Sequence, residues 1–596
     1  MRVYLHPLNL ISWEAALSKI KRTQDNLYPL PKGSVVRTNG SVYFNASNER
    51  AISKNGGKTY TSHKKVCIGS VTGISDSSSE GMFYANSNYF HYFKVDERPA
   101  PPAKTDCQSI GPKILIERIC EKYNLIKLLH EHFIESEIEL ILDLSTYILF
   151  EEKAVFQHYP AWARKHDLFS SEIRCDSFIS NFLGDKLTYS KIKCFLSRWA
   201  RSNISDGNVY LCYDSTNVNS QAEGIFVVQK GFAKDDKRYP QVNTDYIVRQ
   251  SDGMPVTFMN FPGSIIDISE APVMISFLSK IIDKFHITLV CDRGYISSDN
   301  IELLDKNNID FLFLVKSNMK IHKDLIRKFG DNVKNTYSYM LEGYDDNFGI
   351  TVEEKIFEAD KPRFFHIIYS SQLEQEHRSK LFSEVRNREK LLKSYANRGK
   401  KLSKTDVEYF SKWHDLDVIT SGTIEVTSRG RKSKKKYVEA YAINSFKVND
   451  EKIKESINSA GFYLLVSSRK MTAQEARESY SKRDCVEKVF QALKSSLGMY
   501  KIGIASDNNL HGKSLLWFIA SIFHSVIFNT TQSLRLSDKK NYTTPAIIDE
   551  VDALIADKNI DTGKYERRYS LDKRQKKIFE LFEISENDID TYVESL

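Results

Sequence analysis

The stretch VYLCYD, from Val209 to Asp214, is a short apolar run that ends on an acid. A second run of the same kind, ITLVCD, ends on Asp292. Continuous apolar runs of this length read as strands buried on both faces of a sheet. Between them, DYIVRQSDGMPVTFMNF reads as two strands joined at Asp252-Gly253, followed by a helix around Ala271 to Asp283. Beyond Asp292, a helix near Ser298 to Lys306 leads into the strand FLFLVK. The alternation predicts an α/β domain on a mixed sheet flanked by helices.

Working outward, residues 1–95 are rich in turn signals and short β-like runs, and RTNGSVYF carries an Asn39-Gly40 hairpin signal. A Pro-rich linker is expected over 96–109 and a helical region over 110–205. The α/β domain is expected in two parts, 206–316 and 471–532, split by an irregular basic segment at 317–470. That segment holds strands at FFHIIY and YVEAYAI, a long charged helix near Leu373 to Arg398, and the closing run GFYLLVS. A helical tail is expected over 533–596.

Several classes are excluded by composition. With 596 residues, 41% hydrophobic and 27% charged, the chain is a folded multidomain protein and not a disordered one. Its net charge of +8 is concentrated: Leu381 to Ala440 holds 15 Lys and Arg against 8 Asp and Glu. The eight cysteines form no CxxC pair and read as reduced thiols. His130 and His132 have no partners of finger spacing, so they are not read as metal ligands. The longest apolar run, Leu515 to Phe528, reads as a buried helix too short to span a bilayer, and His524 within it as a core histidine. No signal peptide is evident, and a cytosolic protein without a membrane partner is expected.

The stretch YSKRDCVEKVFQALK, residues 480–494, supplies a third acid. On one continuous helix, Tyr480, Arg483, Glu487 and Lys494 fall within a wedge of roughly 60°. Val486, Val489, Phe490, Leu493 and Leu497 form the neighbouring packing face. An amphipathic surface helix with ordinary ion pairs would balance its charges; here one acid stands among a phenol and two cations. Asp214, Asp292 and Glu487 are therefore read together as oxygen ligands for Mg²⁺ or Mn²⁺. Two such ions can activate an attacking hydroxyl and stabilise the leaving oxygen of a phosphodiester, with Asp214 bridging them. Asp484 is the rival for the third acid.

These residues resemble the DDE-type transposases of bacterial insertion sequences, in the branch with a Y-(2)-R-(3)-E-(6)-K signature. Tyr480, Arg483, Glu487 and Lys494 fit that spacing without a gap, YDSTNVN is similar to the first-aspartate motif, and VCDRGYIS to the second. The resemblance covers Val209 to Phe528 well. It implies an RNase H-like catalytic domain with a β-rich insertion between its last strand and its acidic helix. It further implies that Tyr480, Arg483 and Lys494 contact phosphates at the element's end, and that two metal ions serve each active site. Partners would be double-stranded DNA, as terminal inverted repeats and as target, bound by a homodimer. Some relatives stack a flipped base on an insertion-domain Trp, and Trp413 is the one Trp between the second and third acids.

The cluster Arg429, Arg431, Lys432, Lys434, Lys435 and Lys436 reads as a hairpin tip that supplies general DNA affinity. End recognition is expected from the N-terminal β region and the helical segment after it. Three alternatives stand beside this reading: an RNase H-like nuclease that cleaves without joining, a catalytically silent transposase-derived DNA-binding protein, and a glycosidase with paired carboxylates. The intact three acids disfavour the second, and the cations beside Glu487 disfavour the third.

Overall fold

The computed structural model describes residues 26–52, 59–72, 81–93, 107–204, 207–222, 224–231, 239–281, 286–358, 360–427, 435–504, 506–559 and 562–596. The chain divides into two units, Met1–Ala103 and Lys104–Leu596. The first is an antiparallel sheet of β1 (Leu27–Pro29), β2 (Val35–Val36), β3 (Ser41–Ile52), β4 (Thr59–Ser70) and β5 (Met82–Ala85), in the order β1-β5-β4-β3-β2. Val42, Ile68, Phe83, Ala85 and Tyr89 form its small core. The Asn39-Gly40 signal falls at the turn from β2 to β3. Gly40 has φ +80 there, a left-handed conformation that glycine adopts without strain.

In the second unit, β6 (Cys107–Ser109) pairs with β17 (Ile555–Lys558), which also pairs with β18 (Tyr565–Arg567). Regular structure therefore begins inside the expected linker, and the expected helical tail contributes two strands. That tail packs into one lobe with the 110–205 region. Ser109 donates to the Asp552 carbonyl at 2.6 Å, and the Tyr592 hydroxyl to Asp167 at 2.5 Å. A sequence scan sees two regions because Ser109 and Asp552 lie 443 residues apart, whereas apolar burial joins them.

The larger sheet follows: β7 (Asn208–Asn219), β8 (Gln241–Arg249), β9 (Pro255–Pro262), helix α1 (Asp267–Ile281), β10 (His286–Cys291), β11 (Asp310–Leu314), β12 (Asn347–Glu354) and β13 (Arg363–Ser370). Helix α2 (Ser371–Asn397), a helix at Lys404–Ser411, the two-stranded ribbon β14 (His414–Thr427) and β15 (Lys435–Val448), and a helix at Asp450–Asn458 come next. The chain re-enters the sheet at β16 (Phe462–Ser467) and continues through helices α3 (Ala473–Ser481), α4 (Asp484–Ser495) and α5 (Asp507–Thr530).

The sheet order is β12-β13-β16-β11-β10-β7-β8-β9. β10 runs parallel to both β7 and β11, and the other neighbours are antiparallel. Two expectations change. β12 and β13, assigned by sequence to the insertion, are sheet strands, so the segment outside the sheet runs from α2 to Asn458. It contains three helices and one ribbon, and is not mainly β. It also lies between two paired strands, β13 and β16, not between the last strand and the acidic helix. Its core is two small clusters, one with Leu381, Val385, Trp413 and Ile453, the other with Leu392, Leu402 and Phe410.

Helix α5 packs beneath β8 and β9, with Phe518 5.3 Å from Phe258 and 6.2 Å from Tyr246. It starts at Asp507, earlier than the apolar run, so among the described residues it is one helix long and apolar enough to cross a membrane. Its apolar window is 89% buried inside the fold, as a core helix requires.

Candidate active site

The parallel ladder between β7 and β10 ends at the pair Tyr213↔Cys291. Asp214 and Asp292 are the next residues on the two strands, which places both acids at one level of adjacent strands, ~4.8 Å apart in the hydrogen-bonding direction. Only Asp292 ends its strand. It caps the short 3₁₀ turn Arg293–Tyr295, accepting the Arg293 amide at 2.7 Å. Asp214 does not end a strand as the apolar run implied; β7 continues to Asn219 against β8, where Asp214 faces Tyr246 in register. The polar residues Ser215 to Asn219 hide this extension from a hydropathy reading. They are largely buried and bonded to β8 and α1: Asn217 donates to Asn243 at 2.7 Å, and Ser215 to Asp267 at 2.8 Å.

The 480–494 stretch is not one helix. Lys482 and Arg483 form a turn between α3 and α4. There the amides bond three residues back: Arg483 to Tyr480 at 3.0 Å, Cys485 to Lys482 at 3.1 Å and Val486 to Arg483 at 3.1 Å. This tighter turn is the 3₁₀ geometry common at helix ends. Tyr480 thus belongs to α3, Arg483 to the turn, and Glu487 and Lys494 to α4.

The turn brings the pieces to the acids. The Tyr480 hydroxyl lies 3.4 Å from Asp292 Oδ1. Arg483 Nη1 donates to Asp214 Oδ2 at 3.0 Å, and Nη2 donates to Glu487 Oε1. Burial raises the Tyr480 phenol above its usual range, against the opposing pull of Arg483, so it stays a neutral donor. Lys494 lies two helical turns beyond Glu487, about 10 Å along the axis. Asp484 is ion-paired to Lys488 at 2.7 Å, one turn along its own helix.

A second layer lies on the other side of β7, and the sequence reading missed it. The Tyr213 hydroxyl donates to Asp245, which is fully buried, and its ring sits 4.5 Å from that of Tyr295, at the end of the Asp292 turn. Asn243 donates to the equally buried Glu270 at 2.8 Å. Burial first, and then the neighbouring Glu270, push the Asp245 carboxyl well above its usual range. Asp245 could have been noticed as an acid inside DYIVR, where alternation gives no polar face.

The remaining assignments stand apart from this centre. Trp413 is buried in the core of the inserted segment, which leaves no face for a base. Arg429, Arg431, Lys432 and Lys434 lie outside the described residues. Lys435 and Lys436 begin β15, and their side chains also lie outside them. His130 is ion-paired to Glu135 at 3.0 Å, and the His524 ring is stacked 6.4 Å from Phe528.

A mixed sheet thus sets two aspartates on adjacent strands, and a following helix brings a third acid, Glu487, to the same arginine as Asp214. The family model described as Transposase DDE domain matches residues 207–523, more than half of the chain, and the chain belongs to that family. It is therefore a DDE transposase of DNA transposition, and the sheet with its helices is consistent with the RNase H-like DDE domain. No curated protein matches the chain. Among solved structures, the piggyBac transposase synaptic complex with hairpin DNA aligns at 10% identity and a TM-score of 0.32, over 85% of this chain and 77% of that one.

Proposed function

We propose that the chain is the transposase of a bacterial insertion sequence, of the Y-(2)-R-(3)-E-(6)-K branch, acting in the cytosol as a homodimer on two element ends. Asp214, Asp292 and Glu487 would hold Mg²⁺ or Mn²⁺, two ions per site. The observation that carries the reading is that Asp214 and Asp292 each directly follow the last paired residues of the parallel ladder, Tyr213 and Cys291, with Asp214 joined to Glu487 through Arg483. Among the described residues no three His, Cys, Asp or Glu side chains are gathered closely enough to hold a metal ion as they stand. What supports the reading is the chemistry of the set, all carboxylate oxygen as hard divalent cations prefer, with a cationic guanidinium bridging two of its members. When bound, the ions supply charge neutralisation at the scissile phosphate and lower the pKa of the attacking oxygen.

The chain's own groups do the positioning. Tyr480 and Arg483 present an O–H and a planar N–H fork beside the acids, which suits phosphate oxygens, and Lys494 extends that donor row along α4. Water attacks phosphorus and the 3′ oxygen leaves with a proton, which frees a 3′-OH; that hydroxyl then displaces a 3′ oxygen of target DNA at phosphorus. The N-terminal sheet and the 110–205 region would recognise the ends, and the Arg429–Lys436 cluster would add general affinity.

A strand-transfer assay with short duplexes ending in the sequence that flanks the gene tests this. Joined products are expected. Cleaved but unjoined ends would make the chain a nuclease, and binding without cleavage a silent DNA-binding derivative. A monomer on end DNA that performs two-ended joining would contradict the dimer.

A further inference from the structure

Arg483 spends its guanidinium on two of the three acids. Nη1 takes Asp214 at 3.0 Å, Nη2 takes Glu487, and the side chain is 13% exposed. A divalent ion held by the same two carboxylates needs their oxygens at about 2.0–2.1 Å, and must compete for their negative charge with the guanidinium. A phosphate needs the same fork of N–H donors that Arg483 now gives to the acids. Each of the three demands is met more weakly while the others are met. Arg483 sits on the two-residue turn between α3 and α4, so its long side chain can swing without unwinding either helix.

We infer that Arg483 is an exchangeable counter-ion: it holds Asp214 and Glu487 in the free protein and releases both to the cation when its guanidinium transfers to a DNA phosphate. The inference rests on the proposed metal-binding role of these acids. DNA and divalent cation are then coupled through one side chain, and linkage requires each to tighten the other by the same factor. The arrangement keeps the acids paired, and so poorly able to take up metal, until DNA is in place.

Mn²⁺ binding to the full chain, measured by the electron paramagnetic resonance of free Mn²⁺, tests it without any activity readout. Without DNA, Arg483→Gln should bind Mn²⁺ about five-fold or more tightly than the unsubstituted chain, the lower end of ordinary coupling factors. Arg483→Lys should shift the same way, because one ammonium keeps the charge but cannot span both carboxylates. Lys488→Gln removes a charge beside Glu487 whose ammonium is on Asp484, and should change affinity less than two-fold. A short duplex of the flanking sequence should tighten Mn²⁺ more in the unsubstituted chain than in Arg483→Gln. The inference is overturned if Arg483→Lys binds Mn²⁺ like the unsubstituted chain, if Lys488→Gln matches Arg483→Gln, or if the duplex tightens Mn²⁺ equally in both. Asp214→Asn and Glu487→Gln should each abolish tight Mn²⁺ binding. If they do not, the proposed metal site itself fails, which is a different result.

Discussion

The Tyr213 hydroxyl donates to Asp245 directly behind the strand residue Asp214, so the first acid stands on a buried hydrogen-bonded layer. Burial and the neighbouring Glu270 disfavour charge on Asp245, so a neutral amide should replace the acid: Asn can accept from Tyr213 and donate toward Glu270. Asp245→Asn should cost less than about 1 kcal/mol in urea unfolding. Asp245→Ala leaves the Tyr213 phenol without its acceptor in the interior, and should cost about 1–3 kcal/mol. It should also slow cleavage by about 10²-fold, through displacement of Asp214 by ~1 Å. Equal stability for the two variants would show that the layer does not support the strand.

The acids themselves should behave differently. Asp214→Asn, Asp292→Asn and Glu487→Gln should each lower cleavage and joining by at least about 10²–10³-fold, with end binding largely kept. Asp484→Asn should lower neither, since that carboxylate is engaged by Lys488. Gel-shift and cleavage assays on the same preparations decide. An active Glu487→Gln beside an inactive Asp484→Asn would move the third acid.

How much of this could be read in advance follows from which forces are local. The apolar runs before Asp214 and Asp292 marked two adjacent strands, and the 480–494 spacing marked the residues that reach them. Hydropathy could not show that β7 continues past Asp214, because Ser215, Thr216 and Asn217 are polar yet buried, with Ser215 bonded to α1 and Asn217 to β8. The helix wheel could not show the break at Lys482, because neither Lys nor Arg is a helix breaker. β12 and β13 sat in a basic, irregular stretch, and only their pairing with each other and with β16, far along the chain, reveals them as sheet strands. The second layer depends on long-range pairing throughout.

Divalent-ion identity gives a third test. Mg²⁺ or Mn²⁺ should support cleavage, whereas Ca²⁺, with its longer bonds and looser geometry, should permit assembly on DNA without efficient cleavage. Full cleavage in excess EDTA would remove the metal-dependent mechanism.

Acid stability offers a fourth. His366 is fully buried, and its ring nitrogens lie 2.9 Å from the hydroxyls of Thr351 and Ser467. The Ser467 hydroxyl donates to the Arg469 carbonyl at 2.6 Å, so it accepts from Nε2–H. Burial lowers the imidazole to about 4. The unfolded chain protonates first, so the stabilisation is whole above about pH 6.5 and is lost as pH falls through about 4. The loss is about 3 kcal/mol for this group. His322, lowered to about 4 by burial, adds to it. Urea unfolding at stepped pH should show the decline, and His366→Gln should flatten it. A decline of unchanged size in His366→Gln would exclude the imidazole as its source.

The last prediction separates two kinds of cation. β14 and β15 are each 14 residues long, so the ribbon extends ~45 Å, and the basic segment joins its strands at Thr427 and Lys435. Arg483 instead touches two acids directly. Neutralising Arg429, Arg431, Lys432, Lys434, Lys435 and Lys436 together should weaken binding to end and flank alike. It should flatten the slope of log K against log salt by about 0.9 for each phosphate that is no longer neutralised. Saturating DNA should then restore most of the cleavage rate. Arg483→Ala should lower cleavage more than binding, and saturation should not rescue it, because a phosphate held ~1 Å out of place stays slow at any occupancy. Single-turnover rates at saturating DNA give the comparison. If the two variants respond alike, the basic segment must itself reach the scissile phosphate, and the ribbon would have to fold back along the sheet to deliver it.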